Sequence, residues 1–262
     1  MKLGIRVLLI TLLAVAFSVP AGAHFQELIP STDIVTGRGD RNLSLSIVFG
    51  HPMENATMEM AKPARFGVLV KGEKQDLSGS LEPSKALGHQ AWKASYKIKR
   101  PGDHIFFVEP APYWEPAESR MIIHYTKVVV DAMGMEEGWD KPVGFPVEIV
   151  PLTRPYGLWT GNLFRGVVLK DGNPVPGAGV EVEFLNRDGK VVAPSDPYLT
   201  QRIKTDTDGV FSYAMPRAGW WGFAALLEGD KPMKNPAGEN VPVETGGLIW
   251  VRTRDMNTVP GK

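Results

Sequence analysis

Short segments in which apolar and polar residues alternate recur along most of the chain, whereas the spacing of an amphipathic helix is almost absent. Residues 43–49, 93–99 and 180–184 alternate in this way. Residues 121–130 form a longer run rich in β-branched side chains, as expected of a strand buried on both faces. The 28 glycines and 22 prolines are spread between such runs, where they suit turns. The pattern predicts an all-β fold.

A short segment with two prolines divides this pattern into two halves. Residues 151–157 hold both prolines within five positions, which stiffens the backbone, so we predict an interdomain linker there. On either side we predict a β-sandwich of the immunoglobulin-like or transthyretin-like type, one over residues 24–150 and one over residues 158–255. Residues 256–262 are predicted to form a flexible tail.

The first 23 residues have the pattern of a secretory signal peptide. A basic start precedes an apolar run over residues 7–17, and Ala21-Gly22-Ala23 provides the small residues of a cleavage site. The apolar run is too short for a membrane-spanning helix, which needs about 20 residues. We therefore expect a cleaved signal over residues 1–23 and a periplasmic mature protein that starts at His24 and does not span the membrane.

Composition excludes several functional classes. The chain has no cysteine, so thiolate metal ligands, disulfides and a lipid-modified cysteine are ruled out. Lysine and arginine number 29, as do aspartate and glutamate. Loss of Lys2 and Arg6 with the signal leaves 27 basic against 29 acidic residues, a net charge of −2, which does not favour nucleic acid as a partner. No nucleophile or phosphate-binding motif is present, so we predict a protein that is not an enzyme.

A mature amino terminus at His24 would place a free α-amine beside an imidazole, and the two groups can chelate one metal ion together. Two further histidines fall on predicted strands. His51 ends the row of core-facing positions that runs from Leu43 to Phe49, which places it at the rim of the core. His124 lies within the long 121–130 strand, where it is either a ligand or a core histidine bonded to a backbone carbonyl.

The ligand set could be completed by a thioether or a carboxylate. Met58 follows His51 closely and would suit a soft ion, although clustered methionines are more often packing residues. Glu54 is an alternative carboxylate. The aromatic, acidic segment 109–116, which begins with Glu109, either brings a carboxylate to the site or forms a rigid covering loop. The predicted metal site is His24, His51 and His124 with Met58 and Glu109.

Seven segments share one resemblance: residues 23–30, 50–52, 58–60, 110–116, 123–127, 151–159 (PLTRPYGLW) and 215–223 (MPRAGWWGF). Together they resemble the DUF4198 family, whose members are described as periplasmic components of ABC-type cobalt and nickel transport systems. The resemblance implies that the chain binds Ni(II) or Co(II) and that its partners are the membrane components of an uptake transporter. The second half separately resembles the carboxypeptidase regulatory-like sandwich, through residues 166–168, 172–178 and 208–211.

The leading hypothesis is thus a periplasmic protein that binds nickel or cobalt and delivers the ion to a membrane transporter. One alternative is a copper protein with a histidine brace, either a carrier or an oxidase, because Cu(II) binds almost any nitrogen and oxygen site more tightly than Ni(II) or Co(II). The other alternative is a metal-free adhesion or carbohydrate-binding module that uses aromatic side chains such as Trp114 and Trp139.

Overall fold

A computed structural model describes residues 24–257, and strands account for nearly all of its regular structure. Within that range the only helical elements are two short 3-10 turns, so the all-β prediction is confirmed. None of the helices in this range has the length and apolar character needed to cross a membrane. The predicted signal peptide and residues 258–262 of the predicted tail lie outside the described residues.

The described residues form 22 strands and the two 3-10 turns. The strands are β1 Phe25–Pro30, β2 Ile34–Val35, β3 Asn42–His51, β4 Ala56–Met58, β5 Arg65–Val70, β6 Glu73–Asp76, β7 Glu82–Ala86, β8 His89–Lys97, β9 His104–Glu109, β10 Tyr113–Glu115, β11 Arg120–Ala132, β12 Val147–Pro151, β13 Leu158–Trp159, β14 Leu163–Lys170, β15 Asn173–Pro174, β16 Gly179–Phe184, β17 Gln201–Lys204, β18 Val210–Ala214, β19 Gly219–Glu228, β20 Met233–Lys234, β21 Asn240–Val241 and β22 Val243–Arg254; the 3-10 turns are Ser78–Ser80 and Asp196–Tyr198.

One sheet of 11 strands extends through both halves of the chain. Its strand order is β17-β16-β19-β22-β11-β9-β5-β6, with β2, β10 and β13 paired at its sides. The halves meet at β22, which pairs antiparallel with β19 and parallel with β11. The segment predicted as a linker, residues 151–157, therefore connects two halves that share a sheet, while the domain boundaries themselves stay a prediction.

Two smaller sheets pack against opposite faces of this large sheet, because Leu248 and Trp250 of β22 join the buried cluster of the first and Ile249 and Val251 join that of the second. The first has the order β1-β3-β8-β7 with β4 paired to β3, and the second has the order β12-β14-β15 with β18 paired to β14. The alternating residues of β3 point into the first interface, where Leu45 and Ile47 pack with Phe106 and Trp250 in one buried cluster. The Trp250 indole donates a hydrogen bond of 3.0 Å to the Gln26 carbonyl, which ties β22 to β1.

Candidate metal centre

The register between β1 and β3 places His24 and His51 side by side. Phe25 pairs with Gly50, so His24, which directly precedes β1, lies opposite His51 at the end of β3. Their ring centroids are 4.7 Å apart. Phe49 is buried while the His51 side chain is 20% exposed, which confirms that His51 ends a core-facing row at its rim.

His124 approaches the same region from the large sheet. Its imidazole is fully buried in β11, and the Phe49 ring lies beside it, with ring centroids 6.1 Å apart. The same Phe49 ring stacks on His24 at 5.8 Å. Gly246 of β22 is opposite His124, and a Cβ atom there would be 2.5 Å from His124 Cδ2. The glycine therefore makes room for the imidazole.

Two carboxylates accompany these imidazoles. Glu115, at the end of β10, lies 3.0 Å from His24 Nε2 and is buried with it. Glu244 of β22 lies 3.0 Å from His124 Nε2, and Arg120 donates a further hydrogen bond of 3.2 Å to the same carboxylate. The electrostatic environment of His24 includes His51, His124, Glu115 and Glu244, so β1, β3, β10, β11 and β22 all contribute to one cluster.

Two of the remaining predicted ligands, Glu109 and Met58, have other neighbours, whereas Glu54 adjoins His51. Glu109 accepts a hydrogen bond of 3.0 Å from Arg65. Met58 lies opposite Phe49 in the β3–β4 pair and packs against the core. Glu54 Oε2 is 3.8 Å from His51 Nδ1. The structure thus brings together the three predicted histidines, and the carboxylates it adds to them are Glu115 and Glu244, which sequence analysis did not select.

Burial and nearby charges set the protonation of the cluster. Burial, together with the proximity of His51, lowers the pKa of His24 to about 4, so its imidazole is neutral at neutral pH. Burial alone would raise the pKa of Glu244, but the His124 hydrogen bond and the charges of His124 and Arg120 outweigh that effect and hold the pKa below its ordinary value. The cluster thus offers a neutral imidazole and an ionised carboxylate, the forms that bind metal ions.

The family model described as "Domain of unknown function (DUF4198)" matches residues 21–229. The chain belongs to the DUF4198 family. The matched range includes His24, His51, Glu115 and His124, whereas Glu244 lies beyond its end. The comparison with curated proteins gives no match.

Solved structures similar to this DUF4198 chain are distant. The adhesin InvE of Yersinia pseudotuberculosis is 10% identical with a TM-score of 0.24, over 85% of this chain and 58% of the adhesin, so this chain spans little more than half of that protein. Native alpha-2-macroglobulin from Escherichia coli is 11% identical with a TM-score of 0.24, over 91% of this chain and 74% of that one. Similarity at this level does not bear on function.

The cluster of histidines and carboxylates borders a small cavity of about 30 Å³, whose lining includes His124, Tyr113, Phe49 and Met60. Such a volume can hold a water molecule or a single ion. His124 Nδ1 is buried and has no hydrogen-bond partner among the described residues. Within residues 24–257 no three histidine or acidic side chains already converge as metal ligands, so an ion would have to draw these groups together.

Replacement of Gly246 by alanine should displace the His124 ring and break its bond to Glu244. Because the added Cβ would overlap the ring, we expect a loss of about 1–3 kcal/mol in the free energy of unfolding. Gly179→Ala is the matched control, since a Cβ there meets no atom within 4 Å. Urea unfolding compares the two variants, and equal stability would show that the ring can move aside at no cost.

Proposed function

We propose that this chain is an exported carrier that binds Ni(II) or Co(II) and delivers the ion to the membrane components of an uptake transporter. The observation that carries the proposal is the His24–His51 pair, whose ring centroids are 4.7 Å apart at the rim of the sandwich. Nitrogen and oxygen donors without thiolate suit these borderline ions and allow their release. Membership of the DUF4198 family is compatible with this role.

Cleavage after Ala23 would complete the site at His24. The new α-amine and the imidazole Nδ1 of the same residue can close a six-membered ring on one ion. His51 then supplies a second imidazole from the neighbouring strand. In the neutral form of His24, Nε2 donates its proton to Glu115 at 3.0 Å, which leaves the lone pair on Nδ1.

Glu115 and Glu244 thus have a positioning role in this proposal. A carboxylate that accepts the second ring proton fixes the tautomer and orientation of a metal-binding histidine and raises its basicity. Glu244 does the same for His124, because a proton on His124 Nε2 leaves a lone pair on Nδ1, which is the nitrogen without a partner among the described residues. His124 is therefore available as a third imidazole if the ion draws it in.

The mature protein, beginning at His24, should bind NiCl2 or CoCl2 in a calorimetric titration. We expect His51→Ala to weaken binding by at least about tenfold, because one of the imidazole ligands is removed. One glycine added before His24 should weaken binding as strongly, since the α-amine would no longer belong to the histidine.

His89→Ala is the matched control, because this imidazole bonds to the Thr57 hydroxyl, at 2.9 Å, and is not among the charges that act on His24. Its affinity should equal that of the wild type. If the mature protein binds neither ion, or if the extended protein and His51→Ala bind as tightly as the wild type, the proposal is wrong.

A copper site is the second candidate, favoured by the same pair of imidazoles beside a prospective terminal amine. Cu(II) would bind such donors more tightly than Ni(II). The absorption spectrum of protein loaded in cells, together with a test for peroxide-driven oxidation, separates copper from nickel or cobalt. The adhesion or carbohydrate alternative lacks such support, because Trp114 and Trp139 are partly buried against apolar clusters.

A further inference from the structure

Two buried aspartates face each other at the far end of the β9–β11 pair. His104 pairs with Val130, and the same register places Asp103 opposite Asp131. The Gly102 amide donates to the Ala132 carbonyl at 3.0 Å, so the pairing continues past both residues. Side chains directly opposite in an antiparallel pair have Cβ atoms about 4.5–5.5 Å apart, and like charges there are destabilising.

Three oxygen atoms at this place have no hydrogen bond of good geometry among the described residues. They are Asp103 Oδ1, Asp131 Oδ1 and the Tyr156 hydroxyl. The three residues are 2%, 6% and 2% exposed. The Tyr156 hydroxyl is close enough to interact with both carboxyl groups, as a hydrogen-bond partner of Asp103 and through the charge of Asp131. The Trp139 amide donates a hydrogen bond of 3.0 Å to Asp103 Oδ2, and the Gly134 amide donates to the Asp131 carboxyl group.

The neighbouring cations are already engaged. Arg154 pairs with Glu136, and its guanidinium lies 5.1 Å from the centre of the Tyr156 ring. Asp33, which directly precedes β2, is neutralised by Arg254 at 2.8 Å, with Arg252 at 3.7 Å. Arg154 also attracts Asp131, but in the described part of the chain neither aspartate has a direct ion pair. A buried carboxylate without such a partner is strongly unfavourable.

We propose that Asp103, Asp131 and the Tyr156 hydroxyl bind one calcium ion. Carboxylate, hydroxyl and carbonyl oxygens are hard ligands, which Ca²⁺ prefers, and the absence of imidazole disfavours nickel or cobalt here. Burial raises the pKa of Asp103 to about 6 and also raises the pKa of Asp131, as expected where a counter-ion is needed to keep both groups ionised. A bound cation would satisfy all three oxygens.

This site is separate from the histidine cluster. Asp131 lies seven residues beyond His124 on β11, which is about 23 Å along a strand, and the two side chains point to opposite faces of the sheet. The calcium proposal therefore does not depend on the proposed function, and each can fail without the other.

Thermal unfolding of the mature protein in CaCl2 and in EDTA tests the proposal. At a hundredfold excess over Kd, Ca²⁺ should raise Tm by roughly 5 °C or more. Asp131→Asn should reduce this rise or weaken the affinity by at least about tenfold, since one charged ligand is lost. His51→Ala should keep the full response, which separates this site from the histidine cluster.

Tb³⁺, which occupies calcium sites, gives a second measurement that does not depend on stability. Its luminescence on excitation at the tryptophan band should appear with the wild type, fall on addition of Ca²⁺ and be weak with Asp131→Asn, because Trp139 adjoins Asp103. If Ca²⁺ changes neither Tm nor the Tb³⁺ signal, the proposal is wrong. A rise of Tm on acidification below pH 6 would then show that the aspartates share a proton.

Discussion

Replacement of Glu148 by alanine should lower the free energy of unfolding by about 3–5 kcal/mol. Lys127 is fully buried, and its Nζ lies 2.5 Å from a Glu148 oxygen. The same carboxylate accepts the backbone N–H groups of Val143, Gly144 and Phe145 at 2.7, 2.8 and 3.2 Å. Alanine would leave a buried ammonium and three amides without their acceptor. Urea unfolding of wild type and variant measures the loss.

The stabilities of two further variants show whether the loss in Glu148→Ala comes from the unpaired Lys127 ammonium. Burial lowers the pKa of Lys127, against the attraction of Glu148, so the ammonium is the group that most needs a partner. Lys127→Met removes it while the three amides keep their acceptor, and should destabilise less than Glu148→Ala. Asp188→Ala, which removes an exposed partner of Lys190, should cause no measurable change. Equal stability of Glu148→Ala and the wild type would show that water replaces the carboxylate.

The strands of this fold could be predicted because alternation is a local property. The pattern predicts strands over residues 43–49, 121–130 and 180–184, and the structure has them as Asn42–His51, Arg120–Ala132 and Gly179–Phe184. No local pattern in the sequence predicts that β11 pairs with β22. Registers between strands about 120 residues apart are set by packing and not by local pattern, so the shared sheet could not be predicted from the sequence.

The candidate metal site could likewise be predicted from local sequence patterns but not where it depends on strand pairing. Parity along one strand located His51, and the signal peptide pattern pointed to His24. The segment 109–116 was a candidate source of a carboxylate, but the expected residue was Glu109, whereas the structure places Glu115 beside His24. Only the pairing of Tyr113–Glu115 along β11 decides between the two. Glu244 reaches His124 through the β11–β22 register, which no local pattern reveals.

The free energy of unfolding should fall by about 2 kcal/mol between pH 6.5 and pH 9 because Glu183 ionises. Burial raises the pKa of Glu183 from 4.5 to about 8 in the folded protein. The folded state therefore holds a proton that the unfolded state has released, and stability declines as the pH rises until it passes about 8. The pKa of His24 is lowered from 6.5 to about 4. His24 therefore affects stability only below pH 6.5, where it lowers the free energy of unfolding as the pH falls. Chemical unfolding at a series of pH values measures the slope.

Glu183→Gln is the matched control, because glutamine can accept the 3.1 Å hydrogen bond from the Met53 amide but cannot ionise. The difference between the two unfolding curves isolates this one group from all others that titrate. Met53 lies two residues after His51, and the Asn186 side chain donates a hydrogen bond of 3.0 Å to the Met53 carbonyl. Glu183 and Asn186 thus connect the loop that follows His51 to the second half of the chain. An ionised Glu183 should loosen that attachment in the same pH range. A slope that persists unchanged in Glu183→Gln would assign the titration to a different group and leave the loop attachment independent of pH.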